Sequence, residues 1–256
     1  MDFGLAGRIA VITGGGRGIG LCDARMLGAE GARIIINELD PVTGECAVES
    51  LRKENIDAVF YQGDATDEGV VRDTVAAIVQ RFGRLDILVN NAGIGVKPAY
   101  PVEDMPVEAW DKMIHVHMRS TFLWSREVIA AMKAGGFGRI VNMSSMNFTG
   151  GGRLGVAHYA AAKAGIVGLT QTLAKEVGSF GITANAIAPG YVETDLIAQF
   201  SEEMRDRLCK QNPVGRTCSP SEVASLVTFL CSVQAAFING ELVCMDGGRR
   251  DFYWGN

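Results

Sequence analysis

The chain has 256 residues, 48% of them hydrophobic, 7% aromatic and 32 of them glycine, the composition of a globular protein with an aliphatic core rather than of a disordered chain. Its 24 basic and 29 acidic residues leave a formal net charge of -5, which argues against a nucleic-acid partner because phosphate binding calls for a basic excess. No apolar run approaches the ~20 residues that span a bilayer, and residues 1–12 carry no signal-peptide pattern, so no membrane association and a cytoplasmic location are expected.

In chain order, short apolar runs alternate with helix-like segments. Strands are predicted at 8–12, 32–36, 58–61, 86–89, 139–143, 182–188 and 242–245. Between them helices are predicted at 21–30, 41–54, 67–82, 110–132, 157–178 and 220–231. Steady alternation argues for a parallel sheet with helices on both faces, and strands apolar at every position suit burial on both sides. No linker or repeat divides the chain, so residues 1–256 are expected to form one α/β domain. The six cysteines, Cys22, Cys46, Cys209, Cys218, Cys231 and Cys244, form no C-x-x-C pair and have no histidine at ligand spacing. No metal site is expected, and the thiols are expected to be reduced core filler.

The first strand runs into Thr13-Gly14-Gly15-Gly16-Arg17-Gly18-Ile19-Gly20 and then a helix. Glycines let backbone N–H groups approach an anion, and the helix N terminus adds partial positive charge, so Gly14, Gly18, Ile19 and Gly20 are candidates to hold a pyrophosphate. Glu38 follows the second strand, about 20 residues on, where a carboxylate accepts both adenosine ribose hydroxyls and repels a 2′-phosphate. NAD is therefore expected over NADP. Arg17 keeps the alternative open, since its guanidinium could reach a 2′-phosphate, and Glu38 could be a solvated loop acid. Asp64 and Ala65 after the third strand could meet the adenine, and Asn90-Asn91-Ala92-Gly93 follows the fourth; both also read as turn chemistry.

Tyr159 and Lys163 lie four apart on one helix face, where an ammonium is expected to lower the phenol's pKa from about 10 and fit it for proton transfer. Ser144 and Ser145 end the 139–143 strand, and Pro189-Gly190-Tyr191-Val192-Glu193-Thr194 ends another. All of these strand ends face one crevice.

On Thr13-Gly14-x-x-x-Gly18-x-Gly20, Asn90-Asn91-Ala92-Gly93, Ser145, Tyr159-x-x-x-Lys163, Pro189-Gly190 with Thr194, and Met245-Asp246-Gly247-Gly248, the chain resembles the single-domain branch of the short-chain dehydrogenase/reductase family over essentially its full length. The resemblance implies a Rossmann-like doubly wound sheet of about seven strands. It implies hydride transfer between a nicotinamide cofactor and a carbinol or carbonyl carbon, with Tyr159 exchanging the proton. It also implies that Lys163 holds the nicotinamide ribose, that Ser145 orients the substrate oxygen, and that the Pro189–Thr194 loop, including Val192, contacts the cofactor. A homotetramer, or a dimer, built on the 110–132 and 157–178 helices is implied as well.

Two departures stand out. The family's helix asparagine, which helps hold a relay water, is replaced by His117 in Ile114-His115-Val116-His117-Met118. Histidine can donate, accept and titrate near neutrality, so His117 is a candidate relay residue or, alternatively, a satisfied core histidine. The serine also stands one residue further from Tyr159 than is usual, where Met146 holds the usual spacing; strand alignment favours Ser145, with Ser144 as runner-up.

Substrate recognition is expected from residues 94–101, 146–155, Tyr191 and 195–213, the last as an amphipathic lid helix carrying Leu196, Ile197, Phe200, Met204 and Leu208. The aromatic tail at 252–256 is expected to pack on its own or a neighbouring subunit. A sugar alcohol, a 3-oxoacyl thioester, a steroid and a small cyclic ketone all remain open. An NADP-dependent 3-oxoacyl-thioester reductase and a catalytically silent nucleotide-binding redox sensor or scaffold are the alternatives to an NAD-linked secondary-alcohol dehydrogenase.

Overall fold

Parallel strands covered by helices on both sides need apolar side chains pointing each way, and this requirement sets the architecture. The computed structural model describes residues 2–150 and 154–248. The strands are β1 (Ile9–Thr13), β2 (Arg33–Glu38), β3 (Ala58–Gln62), β4 (Ile87–Asn90), β5 (Gly138–Met143), β6 (Ile182–Pro189) and β7 (Leu242–Met245). All pair in parallel in one seven-stranded sheet of order β3-β2-β1-β4-β5-β6-β7. Strand order reverses between β1 and β4, so a crevice opens there at the carboxyl edge.

The helices are α1 (Gly18–Ala29), α2 (Pro41–Lys53), α3 (Glu68–Phe82), α4 (Val107–Ile114), α5 (Ser120–Gly135), α6 (Ala157–Val177), α7 (Asp195–Ala198), α8 (Glu202–Lys210) and α9 (Pro220–Cys231). Ile12, Ile34, Ile36 and Val89 point to one face, where Ala24, Leu27, Leu51 and Val227 of α1, α2 and α9 cover them. Val11, Ile35, Leu88 and Ile140 point to the other, under Ile78, Val128 and Leu173 of α3, α5 and α6. Caps mark several boundaries: Asp67 accepts from Val70 N–H at the start of α3, and Ser219 with Glu222 forms a reciprocal capping box on α9.

Three elements differ from expectation. Helix α1 starts at Gly18 rather than 21, so Gly18 and Gly20 stand in its first turn. The 110–132 helix is longer and interrupted: α4 and α5 are joined by a π turn, His115–Arg119, where Ser120 Oγ donates to Val116 O (2.6 Å) and Thr121 Oγ1 to His117 O (2.8 Å). The lid is two helices, broken where Ser201 caps α8 by accepting from Met204 N–H; Ile197 and Leu208 are buried and Phe200 and Met204 half-buried. Among the cysteines Cys231 is buried, Cys218 packs half-buried against the same core and Cys46 is exposed, so core filling describes two of the six thiols. The aromatic tail at 252–256 lies outside the described residues.

Candidate active site

The crevice begins with a cross-tie between β1 and β4. Thr13 Oγ1 accepts from the N–H groups of Asn91 (3.1 Å) and Ala92 (3.0 Å), and Asn91 Nδ2 donates to Thr13 O (3.1 Å) and Gly14 O (3.0 Å). The Asn91 amide is thereby committed to holding the glycine loop. Close approach explains the glycines: a Cβ on Gly14 would stand 2.9 Å from Ala92 Cα, and one on Gly20 2.6 Å from Gly14 O. Gly18, at φ +56, faces open space apart from Thr194 Cγ2, 3.7 Å from a would-be Cβ. No side chain caps the N terminus of α1 and no acid occupies its first turn. Gly14 N–H is spent on Asn37 O (2.8 Å) and Gly16 N–H on Glu38, but the amides of the first turn of α1, its helix dipole and the room above Gly18 fit a pyrophosphate, and the residues present therefore suit a dinucleotide.

Glu38 stands at the rim of this cradle. Its Oε2 accepts from Gly16 N–H (3.3 Å) and its Oε1 from Leu39 N–H (2.9 Å), so the carboxylate lies beside the loop. Arg17 is exposed and acts electrostatically on Asp40. Asp64 Oδ1 accepts from both Thr66 N–H (2.8 Å) and Thr66 Oγ1 (2.7 Å), a local turn. Ile19 and Ala65 pack against the two apolar layers. Pro189 ends β6, a Cβ on Gly190 would meet Asp246 Cα at 3.2 Å, and Val192 is buried and bridged to Cys218.

The proton-handling groups converge one strand over. Ser145 lies two residues past β5, and its hydroxyl favours ionisation of the Tyr159 phenol. Ser144 turns away and donates to Lys163 O (2.9 Å), so the structure separates the two serines. Lys163, 5% exposed, donates from Nζ to Met143 O (2.6 Å), a partner with no signal in the sequence, and stands 5.7 Å from the Tyr159 ring centroid. Burial lowers Lys163 from 10.5 to about 7. Burial also raises Tyr159, with the Ser145 hydrogen bond acting against it. The expected lowering of the phenol by the lysine is thus corrected: desolvation dominates, and it disfavours both charged forms.

His117, 2% exposed, sits in the π turn. Its Nε2 lies 3.0 Å from Ile94 O and 3.3 Å from Ile94 N, and its ring meets Tyr159 edge-on at 5.2 Å. A Cβ on Gly93 would stand 2.5 Å from His117 Cε1, so that glycine makes room for the imidazole. Burial, then the Lys163 charge, holds His117 well below its ordinary pKa. It stays neutral at physiological pH, which corrects the expectation that it titrates there. Its Nδ1 is buried without a partner among the described residues.

The chain matches a family model described as Enoyl-(Acyl carrier protein) reductase over residues 14–250. It is 37% identical over 252 residues to cis-4-hydroxycyclohexanecarboxylate dehydrogenase of Sinomonas cyclohexanicum, covering 97% of this chain and 98% of that protein. It is also 37% identical over 249 residues to the 3-oxoacyl-[acyl-carrier-protein] reductase FabG of Vibrio cholerae, covering 95% and 98%. The crystal structure of levodione reductase superposes with a TM-score of 0.90 at 33% identity, covering 97% of this chain and 99% of that one.

Proposed function

Because the chain belongs to the short-chain dehydrogenase/reductase family, we propose that it is an NAD-preferring dehydrogenase of a cyclic secondary alcohol, with Tyr159 as general acid and base. It is an oxidoreductase acting on CH–OH or ketone groups, as its relatives are. The observation that carries the site assignment is the meeting of Ser145, Tyr159 and Lys163 at the carboxyl edge of β5.

A bound nicotinamide dinucleotide supplies the hydride donor or acceptor. Gly14, Arg17, Gly18, Ile19 and Gly20 would hold its pyrophosphate, Glu38 its adenosine ribose, and Asp64 and Ala65 would meet its adenine. Asn91, Ala92 and Gly93 line the crevice floor, and Pro189, Gly190, Val192 and Thr194 would hold the nicotinamide end. Ser145 donates to the substrate oxygen, Tyr159 gives or takes the proton, and Lys163 would hold the nicotinamide ribose. His117 props the Ile94 loop and the Tyr159 ring as a neutral imidazole.

NAD preference is supported by the Glu38 carboxylate beside Gly16, where a 2′-phosphate would meet like charge. The cyclic substrate class is supported by two relatives, named for a hydroxycyclohexanecarboxylate and for levodione. The FabG relatives favour a second reading, an NADP-dependent 3-oxoacyl-thioester reductase. We further read residues 1–256 as one domain, cytoplasmic and tetrameric; exposed Val107, Trp110 and Phe122 on α4 and α5 support an assembly face there.

Fluorescence titration with NADH and NADPH, followed by a panel of polyols, hydroxyacyl thioesters and cyclic alcohols read at the NADH absorbance, tests this reading. NADH should bind at least ~10-fold tighter, about 1.4 kcal/mol, and cyclic alcohols should turn over fastest. Tighter NADPH with fastest thioester turnover would establish the second reading instead.

A further inference from the structure

Ser145 can serve Tyr159 in two opposite ways, because a hydroxyl carries one hydrogen and two lone pairs. It stabilises a phenolate or an alkoxide only when its hydrogen points at that oxygen. The surroundings of Ser145 Oγ determine which way it points.

Ser145 precedes a tight turn, Met146–Thr149, and its Oγ accepts from the backbone N–H of Asn147 (3.3 Å) and from the side-chain Nδ2 of the same residue (3.4 Å). The turn is held by Phe148 N–H donating to Ser145 O (2.9 Å). Two donors therefore occupy both lone pairs of the serine oxygen. The hydroxyl hydrogen is left for the one remaining direction, the side of the Tyr159 phenol whose ionisation Ser145 favours. The other end of the amide, Asn147 Oδ1, is buried and receives no hydrogen bond among the described residues. A flipped amide would place Oδ1 against the serine and draw the hydroxyl hydrogen away from Tyr159.

We propose that Asn147 is a positioning residue that fixes Ser145 as a hydrogen-bond donor into the crevice, toward Tyr159 in the free protein and toward the substrate oxygen when one is bound. The backbone N–H alone leaves one lone pair open and lets the hydroxyl rotate; the side-chain amide closes that option. This inference rests on the assignment of Tyr159 as the proton-exchanging group, and it adds the element that sets the direction of the Ser145 hydrogen bond.

The test is a direct titration of Tyr159, followed by NMR of 13Cζ-labelled tyrosine, with Tyr159→Phe assigning the signal among the 5 tyrosines of the chain. Parent, Asn147→Ala, Asn147→Asp, Ser145→Ala and Ser145→Ala with Asn147→Ala are compared, each first confirmed folded by near-UV circular dichroism. Asn147→Ala should raise the Tyr159 midpoint by roughly 0.5–1 pH unit, about a three- to tenfold fall in the ionisation constant. Asn147→Asp, which keeps the shape but offers an acceptor, should raise it further. In the Ser145→Ala background Asn147→Ala should add nothing, because the effect passes through the serine. An unmoved midpoint in Asn147→Ala, or an equal shift with and without Ser145, overturns the proposal. This readout needs no turnover, so it separates from the parent reading: full activity in Tyr159→Phe would sink the catalytic assignment whatever the titration shows.

Discussion

Lys163 and Asp23 are both buried ionisable groups on helices packed against opposite faces of the sheet, α6 on one and α1 on the other. Burial moves each toward its neutral form: Lys163 falls to about 7 and Asp23 rises well above its ordinary 3.8. Their surroundings differ. Lys163 has the Met143 carbonyl 2.6 Å away and the Tyr159 ring within reach. Both oxygens of Asp23 lack a partner among the described residues, as does Thr228 Oγ1 on α9, the helix against which α1 packs. Burial alone perturbs a group; a partner at the open edge of the sheet makes the perturbation usable. Asp86 shows a third outcome, a buried carboxylate fully engaged by Arg8 (3.0 Å), Arg84 (2.5 Å) and Ile9 N–H (2.9 Å).

The sharpest way to break this comparison is to remove the lysine. Lys163→Met should lower turnover by roughly 10²-fold or more, the usual contribution of a proton-handling group, while the fold survives because a buried ammonium is replaced by an apolar chain of similar length. Steady-state kinetics beside a thermal melt checks both halves; unchanged turnover would place Lys163 with Asp23 as a group merely buried.

The opposite substitution should leave chemistry alone. Asp23→Val should stabilise the protein at pH 7 by about 1–3 kcal/mol, the cost of an unsatisfied buried polar group, with turnover unchanged. The pH dependence has a definite sign. Above 3.8 the unfolded chain releases a proton that folded Asp23 keeps, so parent stability falls as pH rises and the advantage of Asp23→Val should grow. For Lys163 the slope reverses: between about 7 and 10.5 the unfolded chain holds the proton, so stability rises with pH across that window. Denaturant melts of the parent and the two variants from pH 4 to pH 10 separate these contributions. A less stable Asp23→Val would mean that the carboxyl does have a partner.

The smallest expected effect is at His117. Because it is neutral, His117→Asn should leave the position of the acid limb of the pH–rate profile where it is and reduce turnover by roughly tenfold or less, about one hydrogen bond. Turnover and profile both identical to the parent would leave His117 no distinct catalytic role.

How legible all this was depended on the range of the forces involved. Strand positions, the parallel sheet, the glycine loop and the Tyr159–Lys163 spacing follow from local rules, the 3.6-residue helical period and the need for apolar strands under two layers of helices, and the sequence by itself determined them. The break in the lid was legible only in hindsight, since Ser201 is a helix-capping residue inside an amphipathic pattern. The choice between Ser144 and Ser145, one residue apart and chemically identical, was decided only by the tertiary structure, which turns one hydroxyl to Lys163 O and the other to Tyr159. So were the π turn that sets His117 against Ile94, the Met143 carbonyl on Lys163, and the directions in which Tyr159 and His117 are shifted. Each of these depends on desolvation and on partners brought together from separate strands and helices, and neither is encoded in the spacing of neighbouring residues.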